Sequence, residues 1–181
     1  MGKKVLILSG SPRRGGNSDM LCDEFLRGAA DAGNEVKKIF VRDERIEYCN
    51  ACYACRETGM CVIKDGMAGV LSAMHWADVI VMASPVYFYS IDAQMKAVID
   101  RTLAQWTKIQ NKEFYYIMTA ADEESEAMDT TLACFRGLAV CLKGSKDRGV
   151  LYGNGLYEAG AVKGTAYMQE AYEMGKSIKS I

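Results

Sequence analysis

Proline and histidine are nearly missing from this chain of 181 residues: two prolines and one histidine. Pro12 and Pro85 each directly follow a segment that reads as a strand, and no low-complexity linker or internal repeat divides the chain. The lone His75 lies near the end of a helical segment beside Trp76 and reads as a surface or core residue, not a ligand or catalyst. No convincing catalytic dyad is present. Charge of one sign is not in excess either: 22 Lys and Arg stand against 23 Asp and Glu, a formal net charge of −1. No strongly basic face is implied, which argues against nucleic acid as a partner. Long apolar runs are also lacking. Val79 to Ala83 is among the longest and is far shorter than a membrane span. Only four apolar residues separate Lys4 from Ser9, too few for the apolar region of a signal peptide, so a cytoplasmic location is expected.

What is present is apolar bulk. Half of the residues are hydrophobic, enough for one core, and residues 1–181 read as a single domain with a cysteine-rich insertion at about 42–64. Val5 to Leu8, Val36 to Val41, Val79 to Ala83, Phe114 to Met118 and Gly149 to Tyr152 read as short strands. Helical spacing runs from about Ser18 to Ala32, Asp65 to Trp76, Ser90 to Leu103, Glu123 to Leu142 and Gly164 to Ser177, with Asp65 and Ser90 as capping residues. Such alternation predicts an α/β fold of the flavodoxin-like kind, a five-stranded parallel sheet in the order 2-1-3-4-5 with helices on both faces. Ligands of such sheets bind at the carboxyl ends of the strands, near the switch between strands 1 and 3.

The segment following the first strand, Ser9-Gly-Ser-Pro-Arg-Arg-Gly-Gly-Asn-Ser18, suits a terminal phosphate. Its glycines permit tight turns, the next helix presents unpaired N–H groups, and hydroxyl, amide and guanidinium donors lie between. Ser9, Ser11, Arg13, Asn17 and Ser18 are the candidate phosphate ligands. Gly10-x4-Gly15 is followed by Gly16-Asn17 and not by Lys-Ser/Thr, so this is no Walker A loop, and the dinucleotide pattern Gly-x-Gly-x-x-Gly is absent too. A mononucleotide is the better fit; a solvated turn capped by Ser18 is the plainer alternative. After the third strand, Ser84-Pro-Val-Tyr-Phe-Tyr89 places three aromatics where a flat group or a partner subunit would cover them, unless they fold back on the core.

Four of the seven cysteines follow the pattern Cys49-x2-Cys52-x2-Cys55-x5-Cys61. Tight triple spacing with a more distant fourth thiol is the style of iron–sulfur ligation. Zinc prefers two separated knuckles, a dithiol pair needs only two thiols, and free thiols remain open as well. Cys22, Cys134 and Cys141 fall on helical segments and read as packing residues.

The phosphate loop, the cysteine segment and Ala83-Ser-Pro-Val-Tyr-Phe88 with Lys96-Ala-Val-Ile-Asp-Arg101 together resemble the NADPH-dependent FMN reductase superfamily, and within it the iron–sulfur flavoprotein branch. The likeness covers roughly residues 3 to 120 and fades afterwards. It implies FMN, with Ser11, Arg13, Asn17 and Ser18 on its phosphate and Pro85, Val86, Tyr87 and Phe88 along its ring. Thr119, Ala120 and Ala121 would form the third flavin loop, although the family's glycine is missing there. The resemblance further implies a [4Fe–4S] cluster on Cys49, Cys52, Cys55 and Cys61, and a homodimer or homotetramer. NAD(P)H or reduced ferredoxin would be the electron donor, and a small molecule or a protein the acceptor. The alternative is a non-catalytic electron carrier, and a flavin-free anion-binding module is a third reading.

Overall fold

The computed structural model describes residues 2–179. Five strands form one parallel sheet: β1 (Lys4–Ser9), β2 (Glu35–Phe40), β3 (Val79–Pro85), β4 (Glu113–Thr119) and β5 (Lys146–Gly153), in the order β2-β1-β3-β4-β5. This is the flavodoxin-like arrangement expected from the alternation of strand and helix. Between their ends its three central strands are almost wholly apolar, because helices cover both faces. Leu6, Leu8, Ile80, Met82, Phe114 and Tyr116 point to one side, where α3 (Met67–Trp76), α4 (Ala93–Arg101) and α5 (Asp129–Cys141) pack. Val5, Ile7, Val79, Val81, Tyr115 and Ile117 point to the other, under α1 (Asn17–Asp31) and α6 (Ala166–Lys176).

The two outer helices α1 and α6 cross almost backbone to backbone. A Cβ built on Gly28 would fall 2.0 Å from the Tyr172 carbonyl oxygen, and one on Gly175 would fall 2.1 Å from that of Phe25. Only glycine permits this approach.

Three local expectations are corrected. Ser90 does not cap α4, because its N–H and C=O are both taken by Tyr87 across a tight turn. Asp92 does so, accepting the Met95 N–H at 2.9 Å from an extended backbone. The helix expected from Glu123 begins only at Asp129, after a 3-10 turn over Ser125–Met128. Asp122 accepts the Glu124 N–H at 3.0 Å, and this local bond competes with helix formation in the acidic run. Cys141 is exposed and not packed, whereas Cys22 is buried and Cys134 is half-buried against the core. Asp65 does act at the start of α3, accepting the Met67 N–H at 3.1 Å. Among the described residues, no helix is long and apolar enough to cross a membrane.

Candidate functional site

Parallel pairing places three connecting segments side by side at the carboxyl ends of β1, β3 and β4. Hydrogen bonds join them in a row: Gly10 N–H donates to the Ala83 carbonyl at 2.8 Å, and Val86 N–H to the Thr119 carbonyl at 2.8 Å. These are the loops at Ser9–Ser18, Ser84–Ser90 and Thr119–Ala121, so the residues expected to meet a flavin lie along one edge of the sheet.

The first loop is held from beneath by a buried network. Asp19, in the first turn of α1, accepts from Ser9 Oγ at 2.8 Å and from the Gly15 N–H at 2.9 Å, and pairs with Lys38 at 2.7 Å. Burial works to raise its pKa, but Lys38, Gly15 and Ser9 together outweigh burial and hold the carboxyl below its ordinary value. Its negative charge is thus spent internally instead of opposing an anion at the helix terminus. Ser11 Oγ donates to the Arg13 carbonyl at 2.8 Å and shapes the turn. Arg42 holds the Pro12 carbonyl at 2.7 Å from outside.

The candidate phosphate ligands divide by what they touch. Asn17 is committed inward: its Nδ2 donates to the carbonyls of Leu156 and Glu158 at 3.2 and 2.9 Å, and its Oδ1 accepts the Val162 N–H at 3.3 Å. Ser9, Ser11 and Ser18 are buried. Arg14 is paired with Asp43 and lies 4.4 Å over the Phe40 ring. Arg13 is exposed at the loop's tip. The first N–H groups of α1 have no partner within the helix and open toward the loop. A cavity of about 560 Å³ borders the loop at Arg14, Gly15 and Asp19.

Between the first two loops sits a carboxylate that the sequence reading passed over. Asp92 is 1% exposed and accepts Ser84 Oγ at 2.6 Å. A Cβ on Gly10 would meet its Oδ2 at 2.4 Å, so Gly10 is required for the loops to touch. Burial pushes the Asp92 carboxyl up to about 6, against the opposing effect of Ser84 and the helix N–H groups.

The second loop does not fold back on the core. Tyr87, Phe88 and Tyr89 are 44%, 101% and 62% exposed. Tyr87 and Ser90 bond to each other across Phe88 and Tyr89, which take φ of 48° and 60°. This two-residue turn needs left-handed backbone at both central positions and ordinarily carries Asn-Gly. Two aromatics there store strain at a protruding edge. In the third loop Thr119 and Ala120 are buried and Ala121 is exposed. Ala120 N–H donates to the Gly153 carbonyl at 2.9 Å and its carbonyl accepts from Leu156, which fixes the path of this loop without its own glycine.

The cysteine segment lies elsewhere, against α4 and the turns that follow it. It is irregular, as expected, apart from the short helix α2 (Cys55–Thr58). Cys49 and Cys52 are exposed and Cys55 and Cys61 half-buried. Among the described residues, no three His, Cys, Asp or Glu are gathered as a metal-binding group. Two features nonetheless suit a cluster. Ala51 and Tyr53 adopt φ of 55° and 58°, bending the chain sharply between successive cysteines. The buried Arg101 at the end of α4 grips the base of the segment: Nη1 donates to the Glu47 carbonyl at 2.7 Å and to Asp65 at 2.8 Å, and Nη2 to Asp65 at 3.0 Å. Burial works to lower the Arg101 pKa, and Asp65 together with the nearby Cys61 thiol outweighs it, so the guanidinium is held above its ordinary value. A groove of about 1140 Å³ opens beside the segment, lined by Cys49, Cys55, Leu103, Trp106, Cys134 and Leu138.

Comparison with known proteins agrees with this geometry. A sequence profile described as NADPH-dependent FMN reductase matches residues 3–139. An iron-sulfur flavoprotein of Methanosarcina thermophila is 39% identical over 100 residues, covering 55% of this chain and 52% of that protein. One from Archaeoglobus fulgidus is 37% identical over 100 residues, covering 55% of this chain and 46% of that protein. The chain therefore spans about half the length of the curated relatives it matches. Among solved structures, an NAD(P)H:quinone oxidoreductase from Methanothermobacter marburgensis superposes with a TM-score of 0.72 at 15% identity, covering 100% of this chain and 98% of that one. An FMN-dependent NADH-azoreductase from Bacillus anthracis, in complex with FMN, gives 0.69 at 14% identity and 96% coverage of both. At these identities the structural likeness establishes the fold alone.

Proposed function

The chain belongs to the NADPH-dependent FMN reductase family, and from that membership we propose that it is a flavin oxidoreductase that binds FMN across its three hydrogen-bonded loops. The observation that carries this reading is the row of loops at Ser9–Ser18, Ser84–Ser90 and Thr119–Ala121, tied by Gly10 to Ala83 and Val86 to Thr119. Arg13 and the first N–H groups of α1 would hold its phosphate. Asn17, Ser9 and Ser11 keep the loop in shape, and Asp19 neutralises Lys38 beneath it. Pro85, Val86, Tyr87 and Phe88 would border the ring, and the exposed aromatics would shield it from water. Bound FMN supplies hydride acceptance and electron transfer, so the protein needs no acid–base pair of its own.

The cysteine segment supports a second element of the reading. Four thiols in compact spacing, left-handed bends at Ala51 and Tyr53, and a buried guanidinium with an unspent donor at the segment's base fit a [4Fe–4S] cluster. Reduced ferredoxin would be the donor if these thiols hold a cluster, and NAD(P)H would be the donor if they do not. The acceptor is a small molecule or a protein, and the expected assembly is a homodimer or homotetramer.

Anaerobic purification after addition of FMN tests the reading. Retained absorption near about 370 and 450 nm is expected, together with a broad shoulder bleached by dithionite. A chain that retains no flavin refutes it. Stopped-flow mixing with NADPH, NADH or reduced ferredoxin, with a quinone as acceptor, assigns the donor.

A further inference from the structure

Arginine presents five N–H donors in a fixed fork, and buried donors are nearly always paired. Arg101 is 2% exposed. Its two terminal nitrogens bond to Asp65 and to the Glu47 carbonyl, and Nη2 lies 3.5 Å from the Ile63 carbonyl. Its Nε–H, equally buried, has no partner among the described residues. The groups it does bind flank the cysteines closely: Glu47 stands two residues before Cys49, and Ile63 two residues after Cys61. One side chain thus fastens both ends of the segment. Cys61 lies near the same guanidinium, two residues before the Ile63 carbonyl that Nη2 approaches.

We propose that Arg101 is a positioning residue for an iron–sulfur cluster: it clamps the two ends of the cysteine segment and donates its free Nε–H to the sulfur of Cys61. The proposal rests on Cys49, Cys52, Cys55 and Cys61 being the cluster ligands. A thiolate bound to iron keeps enough negative charge to accept an N–H hydrogen bond, and such bonds stabilise the reduced cluster and raise its potential. The ion pair with Asp65 sets the direction of the guanidinium, and the fork geometry then fixes where Nε–H points.

The experiment uses anaerobically purified, FMN-loaded wild-type protein beside Arg101→Lys, Asp65→Asn and the double variant Arg101→Met/Asp65→Leu. Iron and sulfide per chain, the cluster potential from an EPR-monitored titration, and FMN retention as a control of folding are measured. Arg101→Lys keeps the charge but not the fork, and it is expected to hold several-fold less iron, with the remaining cluster at a more negative potential. Asp65→Asn loosens the clamp while sparing Nε–H, and is expected to lower iron content without moving the potential. The double variant exchanges the buried pair for apolar bulk, a change that folds tolerate well, and is expected to retain FMN and lose the cluster. Wild-type iron content and potential in Arg101→Lys overturn the assignment while leaving the cluster intact. Should that variant lose FMN as well, a full cluster in the double variant overturns it instead. A wild-type chain without iron overturns the cluster itself and the role of Arg101 with it.

Discussion

Replacing Asp92 with asparagine makes the chain more stable at neutral pH and changes it little only where the carboxyl is protonated in the folded and the unfolded chain alike. The carboxyl ordinarily titrates at 3.8 and is pushed up to about 6 by burial between the first two loops. The folded state therefore binds this proton more tightly than the unfolded chain by about 3 kcal/mol. That contribution is fully present below the unfolded value of 3.8 and is lost as pH rises through about 6. Asparagine carries no charge at any pH, and the surroundings accept it. Its Oδ1 keeps the Met95 N–H, and its Nδ2 can donate to Ser84 Oγ, whose own hydrogen turns to the Pro85 carbonyl at 2.6 Å. Urea unfolding of the flavin-free chain, followed by circular dichroism from about pH 4 to pH 8, should show the gap between Asp92→Asn and wild type widening from about 0.5 to about 3 kcal/mol. Asp19, Asp65 and Glu113 act in the opposite sense. Their folded pKa values are depressed, so their contributions are present above their ordinary range and are lost as pH falls. They are common to both chains and subtract out. A gap that stays constant over this range, or a variant less stable at pH 8, refutes the reasoning.

Two further substitutions test the flavin edge. Arg13→Ala removes one charge-assisted hydrogen bond to phosphate, about 1.5–3 kcal/mol, and should weaken FMN binding roughly ten- to hundredfold by fluorescence titration. Riboflavin, which lacks the phosphate, should bind both proteins alike, and an equal loss for both ligands removes Arg13 from the phosphate site. Phe88→Asn with Tyr89→Gly relieves two left-handed aromatic residues, each strained by about 1–2 kcal/mol. The flavin-free chain should gain about 2 kcal/mol in denaturant unfolding and lose FMN affinity; unchanged stability would show that the turn is not strained.

The five strands were legible because burial on both faces writes an uninterrupted apolar run, and their order followed from the alternation with helices. The first two loops were legible because glycine, proline and hydroxyl residues cluster directly after apolar runs, whereas Thr119 to Ala121 carries no such signal and was expected only from the family resemblance. Residues that act through partners far along the chain were not. Asp19 looks like an ordinary acid in a first helical turn until Lys38 and Ser9 are seen against it. Asp92 takes the capping role given to Ser90 because the Tyr87–Ser90 turn consumes the polar groups of Ser90, a pairing that depends on left-handed aromatics and that local preference argues against. Arg101 and Asp65 are 36 residues apart, and nothing in either neighbourhood announces the ion pair. Asn17 suggested a phosphate ligand by position, and its bonds to Leu156, Glu158 and Val162 reveal a structural duty that position alone does not disclose.

Those bonds have a bearing on the order of events during synthesis. Asn17 leaves the ribosome well before its three partners, which lie 139 to 145 positions later. The glycine contact between α1 and α6 likewise joins Gly28 to Tyr172. The loop after β1 is thus braced by segments made much later, and until then a nascent chain carries it as an unsupported turn. The loop gains its braced shape only once residues 156–162 have been made.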